Sequence, residues 1–164
     1  MYQHKKKSSK KKTKGNSVAE KLYEKSNFES MAYRLLRPLN FDSNKKYPVI
    51  ISLHGAGERG NDNSKQLKSW PKQLAEDEIR RNFPSYVIAP QSNSHWEIER
   101  FEKVKKNIKS LSAVDMKRIY IMGHSVGGHG TFLWIQNDPK YFAAAAPCAG
   151  SGRKGREFVK PELI

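Results

Sequence analysis

The stretch that decides the fold is Ile119-Tyr120-Ile121-Met122-Gly123-His124-Ser125-Val126-Gly127-Gly128-His129-Gly130. Its first four residues, two β-branched and one aromatic, read as a buried strand. Gly-x-Ser-x-Gly follows at once over 123–127, and Thr131 to Gln136 reads as a helix. A serine caught between strand and helix, with glycine two positions to either side, fits a very sharp turn. The serine backbone is strained, its neighbours must lack bulk, and its hydroxyl stands clear of the sheet. Gly127, Gly128 and Gly130 would each cost about 1 kcal/mol relative to alanine in an ordinary helix, so their density implies close approach of other backbone. Ser125 is therefore the candidate nucleophile, and Gly123, His124 and Gly127 support its turn.

Upstream, short apolar runs alternate with amphipathic stretches. Met31 to Arg37 ends at Pro38 and reads as an edge strand. Tyr47 to Leu53 and Tyr86 to Ala89 read as buried strands, and Phe142 to Pro147 as a further one. A helix is expected from Pro71, a residue suited to a first helical turn, to the region of Phe83-Pro84. The clearest helix runs from about Glu97 to Leu111, where Ile98, Phe101, Val104, Ile108 and Leu111 recur every three or four residues. Strands alternating with helices predict an α/β fold: a parallel-rich sheet with helices on both faces.

The second glycine segment, His54-Gly55-Ala56-Gly57-Glu58-Arg59-Gly60, directly follows a strand. It contains G-x-G-x-x-G, but a dinucleotide fingerprint needs its last glycine inside an opening helix, whereas Asn61-Asp62-Asn63-Ser64 reads as turn. The competing reading is a loop that lends a backbone N–H to a developing oxyanion, with Ala56 as donor and Val126, the residue after the serine, as its partner. His54, Gly55 and Gly57 support that loop, His54 by hydrogen bonding. Glu58 and Arg59 are expected to form a surface ion pair.

Together the two segments resemble the α/β-hydrolase superfamily, especially its phospholipase/carboxylesterase and dienelactone-hydrolase-like branch with polyhydroxybutyrate-depolymerase-type esterases and secreted peptidase-like proteins. The resemblance covers about residues 31–152. It implies a serine hydrolase of carboxylic esters, small or polymeric, acting by acyl transfer through Ser125 with an oxyanion hole at Ala56 and Val126, and needing no cofactor. Separately, five scattered histidines and one cysteine offer no metal-ligand pair at an accepted spacing apart from His124 and His129. The family order is serine, acid, histidine on later loops. After Ser125 this chain offers only His129 among histidines and Asp138, Glu157 and Glu162 among acids. His129 is constrained by the helix it begins, and Asp138 reads as a helix-ending turn. The expectation is an incomplete α/β-hydrolase fold, C-terminally truncated or a pseudoenzyme, whose last strand leaves an uncovered edge open to self-association.

Composition bounds the rest. The 164 residues hold 31 Lys plus Arg against 16 Asp plus Glu, for a formal net charge of +15, and 37% are hydrophobic, enough for one domain with a core. Lys5, Lys6, Lys7, Lys10, Lys11, Lys12 and Lys14 supply seven of the excess positives without a neighbouring acid. Residues 1–28 are read as a basic flexible tail, and 29–164 as the N-terminal part of the hydrolase domain. The tail keeps an alternative open: a non-catalytic basic interaction protein that binds nucleic acid or an anionic surface through salt-sensitive contacts. Cys148, the single cysteine, reads as a small buried apolar side chain. No transmembrane run or signal-peptide core is evident, so a cytoplasmic location is the expectation.

Overall fold

The computed structural model describes residues 18–150. Eleven elements follow the order α1 (Val18–Leu22), β1 (Glu24–Phe28), β2 (Met31–Leu36), β3 (Tyr47–Leu53), α2 (Trp70–Leu74), α3 (Asp77–Asn82), β4 (Tyr86–Pro90), α4 (Ile98–Ser110), β5 (Val114–His124), α5 (Val126–Asn137) and β6 (Ala144–Cys148), with two single-turn 3-10 helices between β3 and α2. The six strands form one sheet in the order β1-β2-β4-β3-β5-β6. β4, β3, β5 and β6 run parallel, while β2 is antiparallel to both β1 and β4. The expected parallel-rich sheet is present, with an antiparallel hairpin added at one side.

Alternation along the strands sorts side chains to two faces. Val49, Ile51, Leu53, Tyr86, Ile88, Ile119 and Ile121 pack with Phe101, Val104 and Ile108 of α4 and Trp134 of α5 into the main core. Phe101 stacks on Trp134 with centroids 5.0 Å apart, and Trp96 meets Trp134 edge-on at 6.0 Å. The opposite face is a smaller cluster in which Leu36, Val87 and Ala89 meet Ala19, Tyr23, Leu67 and Ala75. The apolar spacing of α4 thus points where its periodicity says it should.

Several expected boundaries shift, each for a local reason. Of the stretch 1–28, residues 1–17 lie outside the described residues, but 18–28 is ordered as α1 and β1. Ala19 and Tyr23 are buried there, and the Tyr23 hydroxyl donates to Pro71 O at 3.0 Å, so two apolar anchors outweigh the surrounding charge. Hairpin partner β1 takes the edge, which makes β2 an interior strand and not the edge strand expected from Pro38. Arg34 is buried on β2 because its Nε and Nη1 donate to Asn63 O at 2.6 Å and Tyr23 O at 3.0 Å. The helix expected from Pro71 breaks into α2 and α3 around extended Glu76. β6 is the outer strand of the sheet among the described residues, and four of its five residues are exposed, Cys148 included. Among the described residues no helix is long and apolar enough to cross a membrane.

Candidate active site

β5 ends at His124 and α5 begins at Val126, leaving Ser125 alone in the turn with φ 54° and ψ −114°. That conformation is rare for a residue with a side chain and is strained unless its surroundings enforce it. The enforcement is visible: Ser125 N–H donates to Cys148 O at 2.9 Å, and its carbonyl accepts His129 N–H at 3.1 Å. A Cβ on Gly123 would lie 2.0 Å from Gly127 O, and one on Gly127 would lie 2.1 Å from Leu53 O. Any side chain at either position would push the strand, the helix and β3 apart. The sharp turn read from the sequence is present.

The second segment is folded against it. A Cβ on Gly55 would meet His124 Nδ1 at 3.1 Å and His124 O at 3.3 Å, and one on Gly127 would come within 2.8 Å of His54 O. Residues 54–55 and the turn at 123–127 are therefore direct neighbours. Ala56 to Glu58 form a single 3-10 turn with Gly55 as its cap. Ala56 is exposed at its first position, where an N–H has no intrahelical acceptor, and Val126 holds the corresponding position of α5. A Cβ on Gly57 would meet nothing within 4 Å, so packing does not require glycine there.

His54 explains how the loop is held. Its Nε2 accepts the Ser92 N–H at 2.9 Å, which leaves Nδ1 as the protonated nitrogen, and Nδ1–H donates to Gly55 O at 2.7 Å. Gly55 O belongs to the same planar peptide unit as the Ala56 N–H, and in a trans peptide the two point opposite ways. The imidazole therefore sets the direction of the Ala56 N–H. The ring is buried edge-on against Trp96, centroids 4.8 Å apart, and burial holds its pKa below the usual histidine value. With both nitrogens engaged, His54 is not placed as a base.

Glu58 does not pair with Arg59 as the sequence suggested. Its Oε2 accepts the Gly55 N–H at 3.0 Å, and among the described residues no ion pair joins it to a neighbour. The isolated sequence favours surface pairing because it cannot display the cap that competes for the carboxylate. Arg59 keeps a buried Nε without a partner.

Asp138 caps the far end of α5, 13 residues or about 20 Å from Ser125, and pairs with Lys105 Nζ at 3.4 Å. His129 and His95 are exposed, and among the described residues no histidine nitrogen is hydrogen-bonded to the Ser125 hydroxyl. Glu157 and Glu162 lie outside the described residues.

A thermostable esterase of known structure superposes with a TM-score of 0.74 at 31% identity, over 80% of this chain and 42% of that one. The chain belongs to the α/β-hydrolase superfamily. The model of the prolyl oligopeptidase family matches residues 88–154 of this α/β-hydrolase, which span β4 through the serine turn to β6. An uncharacterized secreted protein of Arthroderma benhamiae is 30% identical over 137 residues, covering 73% of the chain and 14% of that protein. The bifunctional acetylxylan esterase/xylanase of Neocallimastix patriciarum is 26% identical over 111 residues, covering 63% and 16%. This α/β-hydrolase chain thus spans less than half the length of each.

Proposed function

We propose that this chain carries the nucleophile and oxyanion-binding part of a serine hydrolase acting on carboxylic esters. Ser125 Oγ attacks the ester carbonyl, the alcohol leaves with a proton, and water later releases the acyl group from the serine. Ala56 and Val126 N–H groups receive the oxyanion formed in each step. The observation that carries this reading is the contact of the Gly55–Ala56 loop with the strained turn at Ser125. Esterases among the relatives support the substrate class.

A serine hydroxyl is a weak nucleophile without a positioned base, and the members of a triad act as a unit. Residues 18–150 supply the serine and both donors but no base in contact with it. Reaction of Ser125 is therefore expected to be measurable as covalent labelling more readily than as turnover. A neutral fluorophosphonate carrying a fluorophore tests this on the full chain. Labelling that disappears in Ser125→Ala supports the assignment, whereas equal labelling of both proteins, or of neither, overturns it.

A further inference from the structure

Glu58 has no role in the chemistry above, yet its carboxylate ties back the donor loop at Gly55. Gly55 is the residue about which that loop could turn, because glycine has the widest choice of backbone angles. Its observed angles, φ −82° and ψ −178°, are fixed by holding the peptide planes on both sides. His54 Nδ1–H holds the carbonyl of the following plane at 2.7 Å, and Glu58 Oε2 holds the N–H of the preceding plane at 3.0 Å. An acid three residues after the cap, reaching back to the cap N–H, closes such a turn on itself. The carboxylate also lies on the side of the loop that faces the serine turn: Glu58 Oε2 and His124 Nδ1 both crowd the Cβ direction of Gly55, at 3.2 and 3.1 Å.

We propose that Glu58 is a positioning residue for the oxyanion donor, holding the Gly55 N–H so that the Ala56 N–H stays directed at the carbonyl attacked by Ser125. The proposal rests on the reading of Ser125 and Ala56 given above. A carboxylate close to developing negative charge opposes that charge, so what Glu58 contributes is an acceptor in a fixed place and not its ionisation. Glutamine retains an acceptor oxygen at the same reach; alanine does not.

The test compares wild type, Glu58→Gln and Glu58→Ala as full chains, with Ser125 labelling by a neutral fluorophosphonate resolved into kinact and KI. The phosphonyl oxygen takes the oxyanion position, so kinact reads the donor directly. Rates are taken per folded molecule from parallel thermal melts. Glu58→Ala is expected to lower kinact about tenfold or more with KI unchanged, and Glu58→Gln to stay within about twofold of wild type or exceed it. Equal behaviour of the two variants overturns the proposal, as does a loss in Glu58→Ala fully accounted for by its unfolded fraction. If wild type labels at Ser125 and ignores both substitutions, Glu58 alone loses its role. If wild type does not label, the nucleophile reading falls and takes this one with it.

Discussion

The two glycine segments look alike in sequence but are held by different forces. Around Ser125 the hold is steric: added Cβ atoms at Gly123, Gly127, Gly128 and Gly130 would sit 2.0 to 2.5 Å from neighbouring atoms. In the loop at 54–60 it is polar, with Gly57 facing open space and the backbone tied by His54 and Glu58 side chains. Close packing fixes a position without choice, whereas hydrogen bonds fix it only while both partners keep their protonation and place. The proposed nucleophile is therefore built on the rigid part of the site and the proposed donor, Ala56, on the adjustable part.

The largest expected effect follows from the steric side. In Gly123→Ala the methyl group would overlap Gly127 O and the Thr131 hydroxyl, at 2.0 and 2.4 Å, and neither backbone nor buried Thr131 can retreat cheaply. A loss of about 3 kcal/mol or more is expected, the range of severe overpacking. Urea denaturation of wild type and variant reads it. A variant within about 0.5 kcal/mol of wild type would mean the turn is far looser than its contacts indicate.

The same contrast explains what could be read from the sequence. Steric demand writes itself as glycine, so the turn at Ser125, the strand before it and their superfamily were legible, as was the face of α4 that meets the core. A hydrogen bond from Glu58 leaves no such mark, because glutamate beside arginine also fits a surface pair. Burial of Ala19 and Tyr23 was hidden in a charged stretch, since two apolar residues carry no periodicity. The interior place of β2 depends on β1 pairing across a turn at Glu29 and Ser30, both at positive φ without glycine. A run of alanines in β6 concealed that four of its five residues, Cys148 among them, are exposed.

A middle-sized effect belongs to His54. Replacing it with alanine strands the Ser92 N–H and removes one of the two bonds to Gly55 O, leaving Glu58 N–H at 3.3 Å. The expected cost is about 2 kcal/mol, in the range for buried groups left unpaired. Protonation should do part of the same work, because a proton on Nε2 would face the Ser92 N–H. The His54 pKa is depressed in the folded state from its unfolded value of 6.5 by burial, so the unfolded chain binds the proton more readily. The stability this residue contributes is then complete above pH 6.5 and declines as pH falls from there through the folded pKa. Urea midpoints at several pH values should show this acid-side loss in wild type and its reduction in His54→Ala. Parallel slopes would place the tautomer differently.

The smallest effect is the sharpest control on the comparison. A Cβ at Gly57 would have nothing within 4 Å, and the residue has no positive φ, so Gly57→Ala adds a methyl group that touches nothing. The substitution narrows the conformations open to the unfolded chain and should stabilise the fold by about 0.4 to 1 kcal/mol. Placed beside Gly123→Ala, it separates glycine required by packing from glycine that is merely present in the same kind of motif. Labelling of Ser125 should also be unaffected if the Ala56 N–H is directed by His54 and Glu58 and not by flexibility one residue on. A Gly57→Ala protein that melts higher but labels more slowly would show that the loop must move during the reaction, and the donor would then be shaped by the substrate in place of being held ready for it.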